Sequence, residues 1–78
     1  MRSEDLNDEI DRRYGTPAGF WREVKARLWD AGISQTALAN EAGYNLGNMN
    51  RWLNGRKLAS LRVMLAVDEA LERLLEDR

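Results

Sequence analysis

The sequence predicts an all-α fold of four to five helices, and three observations carry that prediction. Apolar residues recur at three- and four-residue spacing along most of the 78 residues, the period of a helix with one buried face. No stretch alternates apolar and polar residues for long enough to form a half-buried strand. Gly15, Pro17, Gly32, Ser34, Gly43, Asn45, Gly55 and Ser60 fall at the limits of the periodic stretches, where helices are capped and ended. A chain of this length buries about 60% of the surface that its unfolded form exposes, which supports one core and not two.

The elements follow in order. Over residues 3–13 the apolar residues are Leu6 and Ile10, with Tyr14 next in the same series. A short helix with a thin apolar stripe is expected there. Gly15, Thr16 and Pro17 then supply a helix end, an N-cap and a first helical residue. Phe20, Val24 and Leu28 recur every four residues, flanked by Trp21 and Ala31, and Gly32 closes that helix at its C′ position. Ser34 caps a short second helix that holds Ala37, Leu38 and Ala42 and ends at Gly43. Asn45 caps a third over residues 46–53. Asn54 and Gly55 lack the alternating flanks of a hairpin and fit a helix C-cap. A basic loop covers residues 56–59. Ser60 caps a last helix running to about residue 76, on which Leu61, Met64, Leu65, Val67, Leu71, Leu74 and Leu75 form a wide apolar face.

Composition removes several kinds of chemistry. Without Cys or His the chain has no disulfide framework, no zinc finger and no site built on a thiolate or an imidazole. No cofactor and no metal is expected. Nothing pairs a nucleophile with a base at a meaningful spacing, so the chain is not expected to be an enzyme. The longest apolar run, residues 63–67, falls far short of the roughly 20 residues of a membrane-spanning helix. The acidic start lacks the apolar stretch of a signal peptide, so a cytoplasmic location is expected.

Net charge is −1 with a pI near 5.4, and its distribution is more informative than its sum. Residues 1–15 carry −2, residues 16–44 carry zero and residues 63–78 carry −3. Residues 45–62 carry +4, from Arg51, Arg56, Lys57 and Arg62, with no acid among them. One basic segment is set in an otherwise acidic chain, and it coincides with the third helix and the loop after it.

Two short helices joined by a Gly-containing turn form a helix-turn-helix pattern, in which the second helix enters the major groove. Residues 35–54 resemble this motif as it occurs in the lambda-repressor-like (Cro/CI, XRE) family. Ala39 stands where that family places a small residue at the helix crossing. Gly43 opens the turn, and Met49 and Trp52 take the inner apolar positions of the second helix. Residues 32–35 look like the family's usual entry and residues 51–55 like the end of its recognition helix. The resemblance covers about residues 17–75 and divides the chain into an acidic segment, 1–15, and a helix-turn-helix domain, 16–78.

Roles follow from the resemblance position by position. Leu46, Asn48, Asn50 and Arg51 fall where base edges are read, beside a Gly47 that offers no side chain. Asn can pair with adenine and Arg with guanine, while Leu46 suits a thymine methyl. Gln35, Asn45, Asn54, Arg56 and Lys57 fall where phosphates are held, Gln35 at a helix N-terminus that favours anions. Leu46 replaces the polar residue that the family often uses, and the uninterrupted last helix departs from its pattern. The function implied is sequence-specific binding of double-stranded DNA by a small regulator, a repressor of phage, prophage or mobile-element type. It would act as a homodimer through the C-terminal helix.

Two other functions fit the same residues. An antitoxin of a toxin–antitoxin pair would use the acidic tail against a basic toxin. A protein-interaction module would keep the fold without binding DNA, in line with the acidic pI. Blander roles are expected elsewhere: Trp21 and Trp29, eight residues apart, as core or interface packing, and Asp68, Glu69, Glu72 and Glu76 as a solvated helix face. Residues 43–47 are not a phosphate loop, for they lack the preceding strand and the Lys-Ser/Thr pair.

Overall fold

The computed structural model describes residues 17–77, and among them the chain is all-helical, in four helices. These are α1 (Pro17–Ala31), α2 (Gln35–Ala42), α3 (Leu46–Leu53) and α4 (Leu61–Glu76). The short helix expected over residues 3–13, and the cap expected at Thr16, lie outside the described residues. None of the four helices is long and apolar enough to cross a membrane.

Local chemistry sets the helix limits. Ser34, Asn45 and Ser60 each sit in extended backbone and accept, through a side-chain oxygen, the N–H of the residue three further on. Each such N-cap stabilises its helix by about 1 kcal/mol. The first three helices share one ending. Gly32, Gly43 and Gly55 have positive φ, and the residue after each donates its N–H to a carbonyl one turn back. The bonds are Ile33 to Leu28 at 2.9 Å, Tyr44 to Ala39 at 3.0 Å and Arg56 to Arg51 at 2.8 Å. This is the Schellman ending, which supplies partners for carbonyls that a helix terminus leaves open. Gly43, at φ 83°, needs its glycine for this backbone alone, since a Cβ there would meet nothing within 4 Å.

The caps leave turns of three residues before α2 and α3, so the helices must cross closely. α2 packs on α3 and α4, and α1 packs on α3 and α4. Phe20, Val24 and Leu28 of α1, Leu38 and Ala39 of α2, Met49, Trp52 and Leu53 of α3, and Met64, Val67, Ala70 and Leu71 of α4 are all buried. Fully burying side chains such as these contributes about 1.5–3 kcal/mol each. The expected core of α1 is therefore the observed one, and Ala39 is buried among the packed helices as the small residue at the crossing should be.

One expectation about packing is narrowed, since Trp29 is not core, and one is corrected. Trp21 is buried but Trp29 is 86% exposed, because eight residues advance a helix by about 80° beyond two full turns. That rotation carries Trp29 off the face on which Phe20 and Val24 lie. Asp68 is buried rather than part of a solvated acidic face. Its place four residues after Met64 and three before Leu71 puts it on the inner side of α4, while Glu69, Glu72 and Glu76 are exposed. Of the wide apolar face of α4, Met64, Val67 and Leu71 are consumed by the chain's own core, and Leu61, Leu65, Leu74 and Leu75 remain half-buried against it.

Candidate nucleic-acid interface

The outer face of α3 is defined by what its inner face must do. Met49, Trp52 and Leu53 point into the core, which turns Leu46, Gly47, Asn50, Arg51 and Asn54 outward, all of them exposed. Leu46 is 45% exposed. Asn48 lies at the side of this arc and is half-buried. Trp52 fixes the rotation of the helix: its ring stacks on Trp21 at 6.3 Å between centroids, and Tyr44 of the turn meets it edge-on at 5.1 Å.

Side-chain hydrogen bonds connect the expected site residues to one another. Asn45 accepts the backbone N–H of Asn48 on its Oδ1 at 2.7 Å. Gln35, at the start of α2, accepts from Asn50 Nδ2 on its Oε1 at 3.1 Å. The bond spans the two helices and leaves Gln35 Nε2 and Asn50 Oδ1 unpartnered among the described residues. Asn54 donates through Nδ2 to the Asn50 carbonyl at 2.9 Å. Lys57 donates to Asn48 Oδ1 at 3.2 Å and stands 5.9 Å from the centroid of the Trp52 ring. The guanidinium groups of Arg51 and Arg56, both exposed residues, have no hydrogen-bond or ion-pair partner among the described residues.

Sequence reasoning missed one cation. Lys25 of α1 reaches Asn54 Oδ1 at 3.4 Å, and with Arg22 it lines a groove of about 290 Å³ floored by Trp21, Leu53 and Gly55. In the sequence Lys25 is an ordinary solvated residue of a different helix. Only the packing of α1 on α3 brings it to the end of the polar arc. Two carboxylates of α1 and α2 are engaged in ion pairs: Glu41 with Arg73 at 3.7 Å and Glu23 with Arg27 at 3.4 Å. The face running from Gln35 across α3 to Lys57 therefore offers amides, guanidinium groups and ammonium groups, with no carboxylate in residues 42–67. Such a surface can donate hydrogen bonds to phosphate oxygens and offer both donors and acceptors to base edges. No known family, curated protein or solved structure matches the chain.

Proposed function

We propose that the chain is a sequence-specific double-stranded DNA-binding protein of the lambda-repressor-like helix-turn-helix kind, acting as a small transcriptional regulator. One observation carries the reading: a capped helix, locked to its neighbour by a Gly43 turn, turns out a polar arc within a segment of charge +4 that contains no acid. In this reading α3 enters the major groove, where Leu46, Asn48, Asn50 and Arg51 read base edges. Gln35, Asn45, Asn54, Arg56 and Lys57 hold phosphates on either side, and Lys25 joins them. Two copies meeting through the half-buried leucines of α4 would set two recognition helices about 34 Å apart, one turn of duplex. Covering a promoter would then exclude polymerase.

Selection of bound duplexes from a random pool, followed by titration of the best one against salt, tests the reading. The expected result is a consensus with dyad symmetry and affinity that falls steeply as salt rises. Absence of salt-dependent binding to any duplex would falsify it. A second reading, a protein-interaction module, draws on the exposed Trp29, Leu46 and Leu58, and it is the one left standing by that negative result.

A further inference from the structure

Lys57 and Asn48 belong to different elements, the loop after α3 and α3 itself, yet the structure ties them together. Lys57 Nζ donates to Asn48 Oδ1 at 3.2 Å and lies over the Trp52 ring. The loop that carries it is fixed at its root by the Arg56 N–H bonded to the Arg51 carbonyl. An amide oxygen and nitrogen are alike in size, and their assignment follows from the partner. Here the partner decides it, because an ammonium has three donors and no acceptor. Asn48 must therefore turn its carbonyl toward Lys57. Its Nδ2, with two donors, has no partner among the described residues.

We propose that Lys57 is a positioning residue that determines specificity: it holds the Asn48 amide in one sense, so that Asn48 presents its NH2 to the groove and reads an acceptor edge. The proposal rests on the DNA-binding reading above and deepens it. An asparagine whose amide turns over without restraint pairs with adenine, donating to N7 and accepting from N6. With Oδ1 turned toward Lys57, Nδ2 is the amide atom left to face the groove, and the N6 donor of adenine and the N4 donor of cytosine meet a donor there. Guanine places two acceptors, O6 and N7, opposite the two Nδ2 hydrogens. Guanine is the base expected at the position that Asn48 reads. The two other ammonium hydrogens of Lys57 leave its contact with a phosphate intact.

Duplex selection by the full chain and by Asn48→Ala, Lys57→Met and Lys57→Arg tests this. Lys57 is exposed, so the substitutions neither empty nor crowd the core. Asn48→Ala should erase preference at one position, and there the unaltered chain should prefer guanine over adenine by about tenfold. Lys57→Met should turn that preference from guanine toward adenine at this position alone, while Lys57→Arg, again a pure donor, should keep it. Loss of a cation flattens the salt slope by about one whether or not Lys57 orients Asn48, so the base ratio is the deciding readout. An unchanged ratio in Lys57→Met overturns the positioning role and leaves the DNA reading in place. So does adenine at the Asn48 position, or an Asn48→Ala consensus identical to that of the unaltered chain. A chain that binds no duplex in a salt-dependent way overturns both.

Discussion

Replacing Trp52 by alanine removes the ring on which α1, the Gly43 turn and the basic loop converge. The side chain is 5% exposed, stacked on Trp21 with 17° between planes and met by Tyr44 at 88°. Truncating a buried Trp costs about 3–5 kcal/mol, including about 0.5–1.5 kcal/mol for each aromatic pair. One feature offsets part of this loss. The indole Nε1 is buried without a hydrogen-bond partner among the described residues, and an unsatisfied buried donor costs about 1–3 kcal/mol. That penalty vanishes with the ring, so the expected loss lies at the lower end, about 3 kcal/mol. Trp52→Phe keeps a ring in the stack and also removes the orphaned N–H, so it should cost under about 1 kcal/mol. Stabilities of about 0.05–0.15 kcal/mol per residue give a chain of this size about 4–12 kcal/mol in all. The alanine variant is therefore depleted of a large share and the phenylalanine variant is not. Urea titration followed by far-ultraviolet circular dichroism measures both. With a slope of about 1 kcal/mol per molar, the alanine midpoint should fall by about 3 M. A midpoint within about 0.5 M of the unaltered chain, accompanied by loss of duplex binding, would mean that the ring faces the groove and that the packing argument fails.

Three further outcomes are expected. Arg51→Ala should cost about 1–3 kcal/mol of duplex binding and relax preference at one position, and an unchanged consensus in duplex selection removes Arg51 from the reading surface. Gly47→Ala should raise stability to urea by about 0.5–1 kcal/mol, since a helical Gly lacks the propensity of Ala and the added Cβ would meet only Asn45 Oδ1, at 3.5 Å. It should at the same time weaken duplex binding, because its methyl stands on the outward arc; affinity that does not change shows that this arc stays clear of DNA. In sedimentation equilibrium the unaltered chain should be a dimer at micromolar concentration and Leu65→Glu a monomer with its circular dichroism preserved. Leu71 is fully buried and unsuited to that test, and a monomeric unaltered chain rejects the α4 interface.

What the sequence made legible is what neighbouring residues settle among themselves. The caps at Ser34, Asn45 and Ser60, and the positive-φ endings at Gly32, Gly43 and Gly55, depend on bonds spanning three to five residues, and each was readable from residue type and spacing. The inner positions Met49 and Trp52 came from the family resemblance, and their spacing of three agrees with helical period. Asp68 was misread because an acid beside other acids says nothing about the angle at which a helix meets its neighbours, and for the same reason the spacing of Trp29 from Trp21 did not separate core from interface. Lys25 was not readable at all: 29 residues separate it from Asn54, and only tertiary packing brings the two together. The same holds for the Gln35–Asn50 and Lys57–Asn48 bonds. The candidate residues could be named from the sequence, but their mutual bonding could not.

The stacking of Trp21 on Trp52 has an optical consequence. Two indoles 6.3 Å apart and inclined by 17° couple their excited states, so the far-ultraviolet circular dichroism of the chain should carry a paired band whose amplitude follows the mutual orientation of the two rings on α1 and α3. Trp29, bathed in solvent at 86% exposure, contributes a long-wavelength emission that Trp29→Phe subtracts. What remains is an internal gauge, requiring no attached dye, of whether the outward-facing helix rotates against its scaffold when the protein takes up a ligand.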